Sequence, residues 1–140
     1  AMAQASEDVL KQADMTLNDI KLVVPHQANK RILDALARRL GINEDKVFVN
    51  VHKYGNTSAG TIPVALCEAV EEHRIEPGDY ILMASFGAGL TYGASLIKWG
   101  DRVTPLQSSD AELPPCNKTG LEIIASHVER YRKRTLETAS

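Results

Sequence analysis

Lys21-Leu22-Val23-Val24-Pro25-His26-Gln27-Ala28-Asn29-Lys30-Arg31-Ile32-Leu33-Asp34-Ala35-Leu36-Ala37-Arg38-Arg39-Leu40-Gly41 changes its hydrophobic period part-way along. Lys21 to Val24 is a short apolar run closed by Pro25, the pattern of a buried strand that stops at a loop. His26 stands at the C-terminal end of that strand. From Gln27 to Leu40 the apolar residues Ala28, Ile32, Ala35, Leu36 and Leu40 follow the i, i+4, i+7, i+8 spacing of one helix face, and Gly41 supplies the stop. A buried strand feeding an amphipathic helix is the unit of an α/β fold.

Upstream, Met2, Ala5, Val9 and Ala13 predict a helix already under way at the first residue, with Ser6, followed by Glu7 and Asp8, as a candidate N-cap. Downstream, Lys46-Val47-Phe48-Val49-Asn50 is rich in β-formers and reads as a second strand, leading into the polar turn His52-Lys53-Tyr54-Gly55-Asn56. A helix then starts near Ser58, capped by Ser58 or Thr57. Pro63 is tolerated in its first turn, and Ala65, Leu66, Ala69 and Val70 form its apolar face. Glu76-Pro77-Gly78-Asp79 ends it. Tyr80 to Ser85 and Ala94 to Trp99 are two further strands, joined by Phe86-Gly87-Ala88-Gly89-Leu90-Thr91-Tyr92-Gly93. The expected architecture is α/β, a mostly parallel sheet layered with helices, whose edges call for a partner layer.

Residues 1–100 make one domain. Residues 101–119 hold three prolines and no periodicity, which describes an extended linker. Residues 120–140 return to helical spacing, with Leu121, Ile124, Val128 and Tyr131 as an apolar stripe suited to docking and a basic run from Arg130 to Arg134.

Bulk properties narrow the classes of function. The chain has 140 residues, 44% of them apolar and 24% charged, which suits a folded domain and excludes wholesale disorder. Sixteen Lys and Arg against eighteen Asp and Glu give a net charge of −2, so no nucleic-acid or anionic-membrane surface is built into the whole chain. Cys67 and Cys116 are too few for a disulfide framework or a cysteine-rich zinc site, which points to a reducing compartment. No apolar stretch approaches the ~18 residues of a membrane span, and the N-terminus lacks a signal-peptide layout. A cytoplasmic location is expected.

Three of the four expected strands are followed by polar loops: Pro25-His26-Gln27-Ala28-Asn29, Tyr54-Gly55-Asn56-Thr57-Ser58 and Phe86-Gly87-Ala88-Gly89. Loops after successive parallel strands emerge at one sheet edge, where α/β proteins bind ligands. A histidine and an asparagine there form a pair of neutral donors able to stabilise negative charge developing on a carbonyl oxygen. The glycine loop adds backbone N–H groups that a substrate can approach closely. Each signal has a plainer explanation: a capping histidine, an asparagine N-cap, a hairpin bend. Lys30, Arg31, Arg38 and Arg39 describe either a solvated helix face or a landing patch for an acidic protein or a phosphate. His52, His73 and His127 read as surface groups, and no metal-ligand spacing is present.

Three motifs in order, Val24-Pro25-His26-Gln27-Ala28-Asn29-Lys30-Arg31-Ile32, Tyr54-Gly55-Asn56-Thr57-Ser58-Ala59-Gly60 and Phe86-Gly87-Ala88-Gly89-Leu90-Thr91-Tyr92-Gly93, resemble β-ketoacyl-acyl-carrier-protein synthase III, of the thiolase-like fold. The resemblance covers residues 1–100, the C-terminal portion of such an enzyme, and residues 101–140 have no counterpart in the simple bacterial synthases. It implies an acyltransferase of fatty acid initiation. An acyl group moves from coenzyme A to a cysteine, and malonyl-carrier protein then loses carbon dioxide and condenses with it. By motif position, His26 and Asn56 donate to the malonyl thioester oxygen as it becomes an enolate, neutral His26 acting through its Nε2 proton. Gly87 and the backbone N–H of Ala88 belong to the oxyanion hole, and Phe86 lies beside the reactive cysteine. Gln27, Asn29 and Arg31 fall where coenzyme A or the carrier protein is bound. Ala88 stands where the family commonly has glycine.

The family's nucleophile lies in an N-terminal half that these residues do not contain. Cys67, about two turns into a predicted helix and within the apolar run Val64-Ala65-Leu66-Cys67, reads as inert filler. Cys116 has no basic neighbour beyond Lys118. The expected partners are therefore an N-terminal half carrying the cysteine, acyl carrier protein and acyl-CoA, within a homodimer. The expected substrates are coenzyme A thioesters and phosphopantetheine-linked acyl groups, with no metal or resident cofactor. The chain alone should be inactive. The competing expectations are an acyl-loading relative of polyketide or secondary metabolism and a non-catalytic half-domain that binds a partner.

Overall fold

The computed structural model describes residues 1–89, 91–104 and 117–137, the last six by their backbone only. In chain order the elements are α1 (Met2–Gln12), β1 (Ile20–Pro25), α2 (Lys30–Leu40), a 3₁₀ turn (Glu44–Lys46), α3 (Val51–Tyr54), a second 3₁₀ turn (Ser58–Gly60), α4 (Thr61–Glu71), β2 (Tyr80–Gly87), β3 (Thr91–Lys98) and α5 (Gly120–Glu137). The chain divides into two compact units, Ala1–Gln107 and Ser108–Ser140. Most of the expected linker, with Cys116, lies outside the described residues.

The first unit is built on a sheet in the order β1-β2-β3. β1 runs parallel to β2, Val23 opposite Leu82 and Pro25 opposite Ala84. β2 and β3 form an antiparallel hairpin, paired from Tyr80–Lys98 to Gly87–Thr91. The sheet is mixed, not mostly parallel. The short turn after Gly87 decides this, because a parallel partner would need a crossover of a dozen or more residues. Gly89 supplies the left-handed φ of 83° that the turn requires.

β1 is buried except at Lys21, as expected of a strand covered on both faces. On one face Leu22, Val24 and Ile81 pack with Phe48 and with Ala65, Ala69 and Val70 of α4. On the other, Val23 and Leu82 meet Leu10 of α1 and Ala37 of α2, continued by Met2, Leu36, Leu40 and Ala84. The expected helix layers are present.

α2 starts where Asn29 caps it, Oδ1 accepting from the Ile32 N–H at 3.1 Å, and ends at Gly41 with φ 66°. Three local expectations are corrected. Ser6 is not an N-cap: α1 begins at Met2, and the buried Ser6 hydroxyl bonds back to the Met2 carbonyl at 3.0 Å. The expected second strand is a single parallel bridge between Val23 and Val47, with Phe48 N–H on the Val23 carbonyl at 2.9 Å. The helix expected from Ser58 begins at Thr61, because Ser58 has φ 53° and cannot join an α-helix. In the second unit, α5 keeps the apolar residues Leu121, Ile124, Val128 and Tyr131 exposed.

Candidate active site

The loops after β1, after α3 and at the β2–β3 turn come together around an open cavity of about 540 Å³. His26, Asn56, Ser58, Phe86, Ala88 and Tyr92 are among the residues that line it. Local structure positions each of them. His26 extends β1 by one bond, its N–H reaching the Ala84 carbonyl at 2.8 Å, and its side chain is only 9% exposed. Its Nδ1 lies 2.6 Å from the Thr61 hydroxyl, and its ring meets Phe86 edge-on with centroids 5.6 Å apart. Among the described residues no buried side-chain nitrogen or oxygen lacks a partner. Nε2 has no bond to another described residue, and the ring lies at the cavity wall.

Asn56 is pinned in the same way. Its Oδ1 accepts from the Ser58 N–H at 2.9 Å. That N–H can only donate, so the bonded end is the oxygen and the free end is the NH₂ group. The turn through Ser58 thus holds both side chains: its N–H fixes Asn56, its carbonyl accepts from the Thr61 hydroxyl at 3.1 Å, and Thr61 touches His26. Ser58 bears the left-handed φ of 53°, a strain that the surrounding bonds hold in place. Gly87 and Ala88 are exposed on the rim at the end of β2. At Gly87 an added Cβ would come within 3.2 Å of the Thr91 hydroxyl, which favours glycine there.

Behind this rim, Glu68 of α4 ties α3 in place. Its carboxylate accepts from Asn50 Nδ2 at 2.8 Å, from Lys53 Nζ at 2.5 Å and from the Tyr54 hydroxyl at 3.4 Å. Burial pushes the carboxyl upward, yet the hydrogen bonds from Lys53 and Asn50 outweigh it and hold it below the ordinary range.

Residues 10–99 match the family model described as 3-oxoacyl-[acyl-carrier-protein (ACP)] synthase III C terminal. The chain belongs to this synthase III family. It is 48% identical over 136 residues to beta-ketoacyl-[acyl-carrier-protein] synthase III 2 of Vibrio cholerae, an alignment covering 97% of this chain and 38% of that protein. To the protein of the same name in Vibrio vulnificus it is 54% identical over 133 residues, or 95% of this chain and 37% of the relative. The solved synthase III of Thermus thermophilus superposes with a TM-score of 0.70 at 50% identity, covering 72% of this chain and 32% of that one. The α/β fold is therefore thiolase-like, as expected. The chain spans a little over a third of the length of the curated relatives named above, matching their C-terminal part. The 136 aligned residues must run well past Gly100, so the tail does have a counterpart in the Vibrio synthase III proteins.

Not every residue expected at the synthase III site lies at the cavity. Gln27 is 1% exposed and its amide is consumed by the backbone: Nε2 donates to the Pro25 and Phe48 carbonyls, and Oε1 accepts from Asn50 and Val51 N–H, all between 2.9 and 3.1 Å. It has no free group for coenzyme A or a carrier protein and acts as a strut. Asn29 and Arg31 line a separate surface groove with Lys30, Asp34 and Arg38. The Asn29 oxygen is taken by the α2 cap, and Lys30 pairs with Asp34, while Arg31 and Arg38 have no ion-pair partner among the described residues. Cys67 is exposed on α4 rather than buried as filler, in an apolar groove with Leu66, Val70 and Trp99 and not in the His26 cavity. Partial burial and Glu71 raise its thiol pKa, the opposite of an activated nucleophile. Among the described residues no group of three or more His, Cys, Asp and Glu side chains is placed to hold a metal, and no helix is long and apolar enough to cross a membrane. Sequence reasoning missed Thr61, five residues after Asn56, and read Ser58 only as a loop residue and helix cap.

Proposed function

We propose that this chain is the C-terminal part of a condensing acyltransferase that initiates fatty acid synthesis by joining an acyl-CoA to malonyl-acyl-carrier protein. The observation that supports it is the meeting of His26 and Asn56 at one cavity, each with one polar atom pinned and the other free. In the reaction, the bond from the malonyl carbon to its carboxylate breaks, carbon dioxide leaves, and the electron pair moves into an enolate. His26 Nε2–H and Asn56 Nδ2–H donate to the enolate oxygen. Two donors aimed at that oxygen stabilise the charge as it forms, and no base is needed because decarboxylation itself creates the carbanion. That carbanion attacks the acyl group held on a cysteine, whose thiolate is expelled. The cysteine belongs to an N-terminal half, with Phe86 beside it, and Gly87 and the Ala88 N–H contribute to the hole that receives the second oxyanion. Arg31 and Arg38, without an ion-pair partner among the described residues and on one side of α2, suit the acidic surface of a carrier protein or the phosphate of its prosthetic arm.

The test is carbon dioxide release from malonyl-carrier protein with and without the N-terminal half, the complete enzyme being assayed as a homodimer. The assembled enzyme condenses and the chain alone does not; turnover by the chain alone overturns the assignment of the nucleophile. Asn56→Ala in the assembled enzyme lowers the rate about 10²- to 10³-fold. An unchanged rate removes Asn56 from the mechanism.

A further inference from the structure

The protons around Thr61 do not add up to the state in which His26 donates. A threonine hydroxyl has one hydrogen and two lone pairs. Here it has two neighbours, the Ser58 carbonyl at 3.1 Å and His26 Nδ1 at 2.6 Å. The carbonyl can only accept, so in this arrangement the hydroxyl hydrogen points to Ser58 and Nδ1 must supply the other hydrogen. A neutral imidazole then carries its proton on Nδ1, and Nε2 faces the cavity as a bare acceptor. For neutral His26 to donate from Nε2, the hydroxyl has to turn and give its hydrogen to Nδ1. Ser58 is exposed, so water can replace the bond its carbonyl loses. Thr61 is 3% exposed, and among the described residues these two groups are the partners of its hydroxyl.

We propose that Thr61 is a positioning residue whose hydroxyl decides which nitrogen of His26 is protonated, holding the Nδ1–H tautomer while the cavity is empty and turning to Nδ1 to yield the Nε2–H donor when an oxygen enters. The exchange is neutral: Nδ1 releases a proton to water and Nε2 takes one up from water. The proposal rests on the functional reading for the role of the Nε2–H form, but the resting tautomer is a property of the chain itself.

The experiment is long-range ¹H–¹⁵N spectroscopy of the ¹⁵N-histidine-labelled chain, with the His26 signals assigned by loss in His26→Gln. In the wild type, held where the ring is neutral, His26 is mainly Nδ1–H. Thr61→Val, nearly isosteric, can neither accept from Nδ1 nor donate to it, and the signals shift to mainly Nε2–H. Thr61→Ser restores the wild-type pattern. An Nε2–H majority in the wild type, or a Thr61→Val spectrum like the wild type, overturns the proposal. In the assembled enzyme, Thr61→Val lowers kcat about tenfold with KM for malonyl-carrier protein unchanged, and Thr61→Ser recovers it; a rise in KM alone argues against a positioning role. If the tautomers behave as stated while the assembled wild-type enzyme does not condense, the inference stands and the functional reading falls.

Discussion

Replacing Gln27 by Leu keeps a buried side chain of similar size but strips partners from the Asn50 and Val51 N–H groups and from the Pro25 and Phe48 carbonyls. Unpaired buried polar groups are costly, so the variant should lose roughly 2–4 kcal/mol in urea unfolding. An unchanged midpoint would show that the amide is not a strut. This residue also marks where sequence reasoning stops. Val47, Phe48 and Val49 have the composition of a strand, and nothing in their own chemistry says that the neighbouring ladder position is occupied by a side chain from twenty-odd residues earlier. His26 and Asn56 were legible because their residue types and loop positions stand out in the sequence. The Thr61 hydroxyl was not, because a threonine at a helix start is ordinary there and acquires meaning only from the ring lying against it.

At the scale of elements, the end of α2 was readable from Gly41, whereas its start, expected at Gln27, falls at Lys30 because Asn29 caps the helix. The start of α4 was misplaced by a few residues because capping preference cannot reveal that Ser58 has been driven to a left-handed φ. The pairing of α3 with α4 is held by Glu68, and it carries a pH signature. Its carboxyl pKa is lower in the folded chain than the ordinary value of about 4.5, so the ion contributes stability above that value. The contribution fades as pH falls through the folded value. Glu68→Gln should therefore be about 1–3 kcal/mol less stable than wild type near pH 7, with the gap closing in acid. A gap independent of pH would assign the loss to packing rather than to charge.

Across the whole first unit the layers follow from the strands: Val23 and Leu82 face α1 and α2, while Leu22 and Ile81 face α4. Leu82 is fully buried on the central strand, so Leu82→Ala should cost about 2–5 kcal/mol by calorimetry or denaturant unfolding. A loss below 1 kcal/mol would mean that the site collapses around the cavity. The layered α/β plan was visible in the alternating periods, but strand direction was not, because it turned on whether a glycine-rich segment made a long loop or a tight turn with extended pairing. The turn through Ser58 has a consequence for the two groups it anchors. Asn56 and His26 are oriented by neighbouring residues of one short segment, Ser58 and Thr61, so one stretch of chain sets their mutual aim. Much of the entropy of lining them up is surrendered when the chain folds, through the Asn56–Ser58 and His26–Thr61 contacts, rather than at each encounter with a ligand.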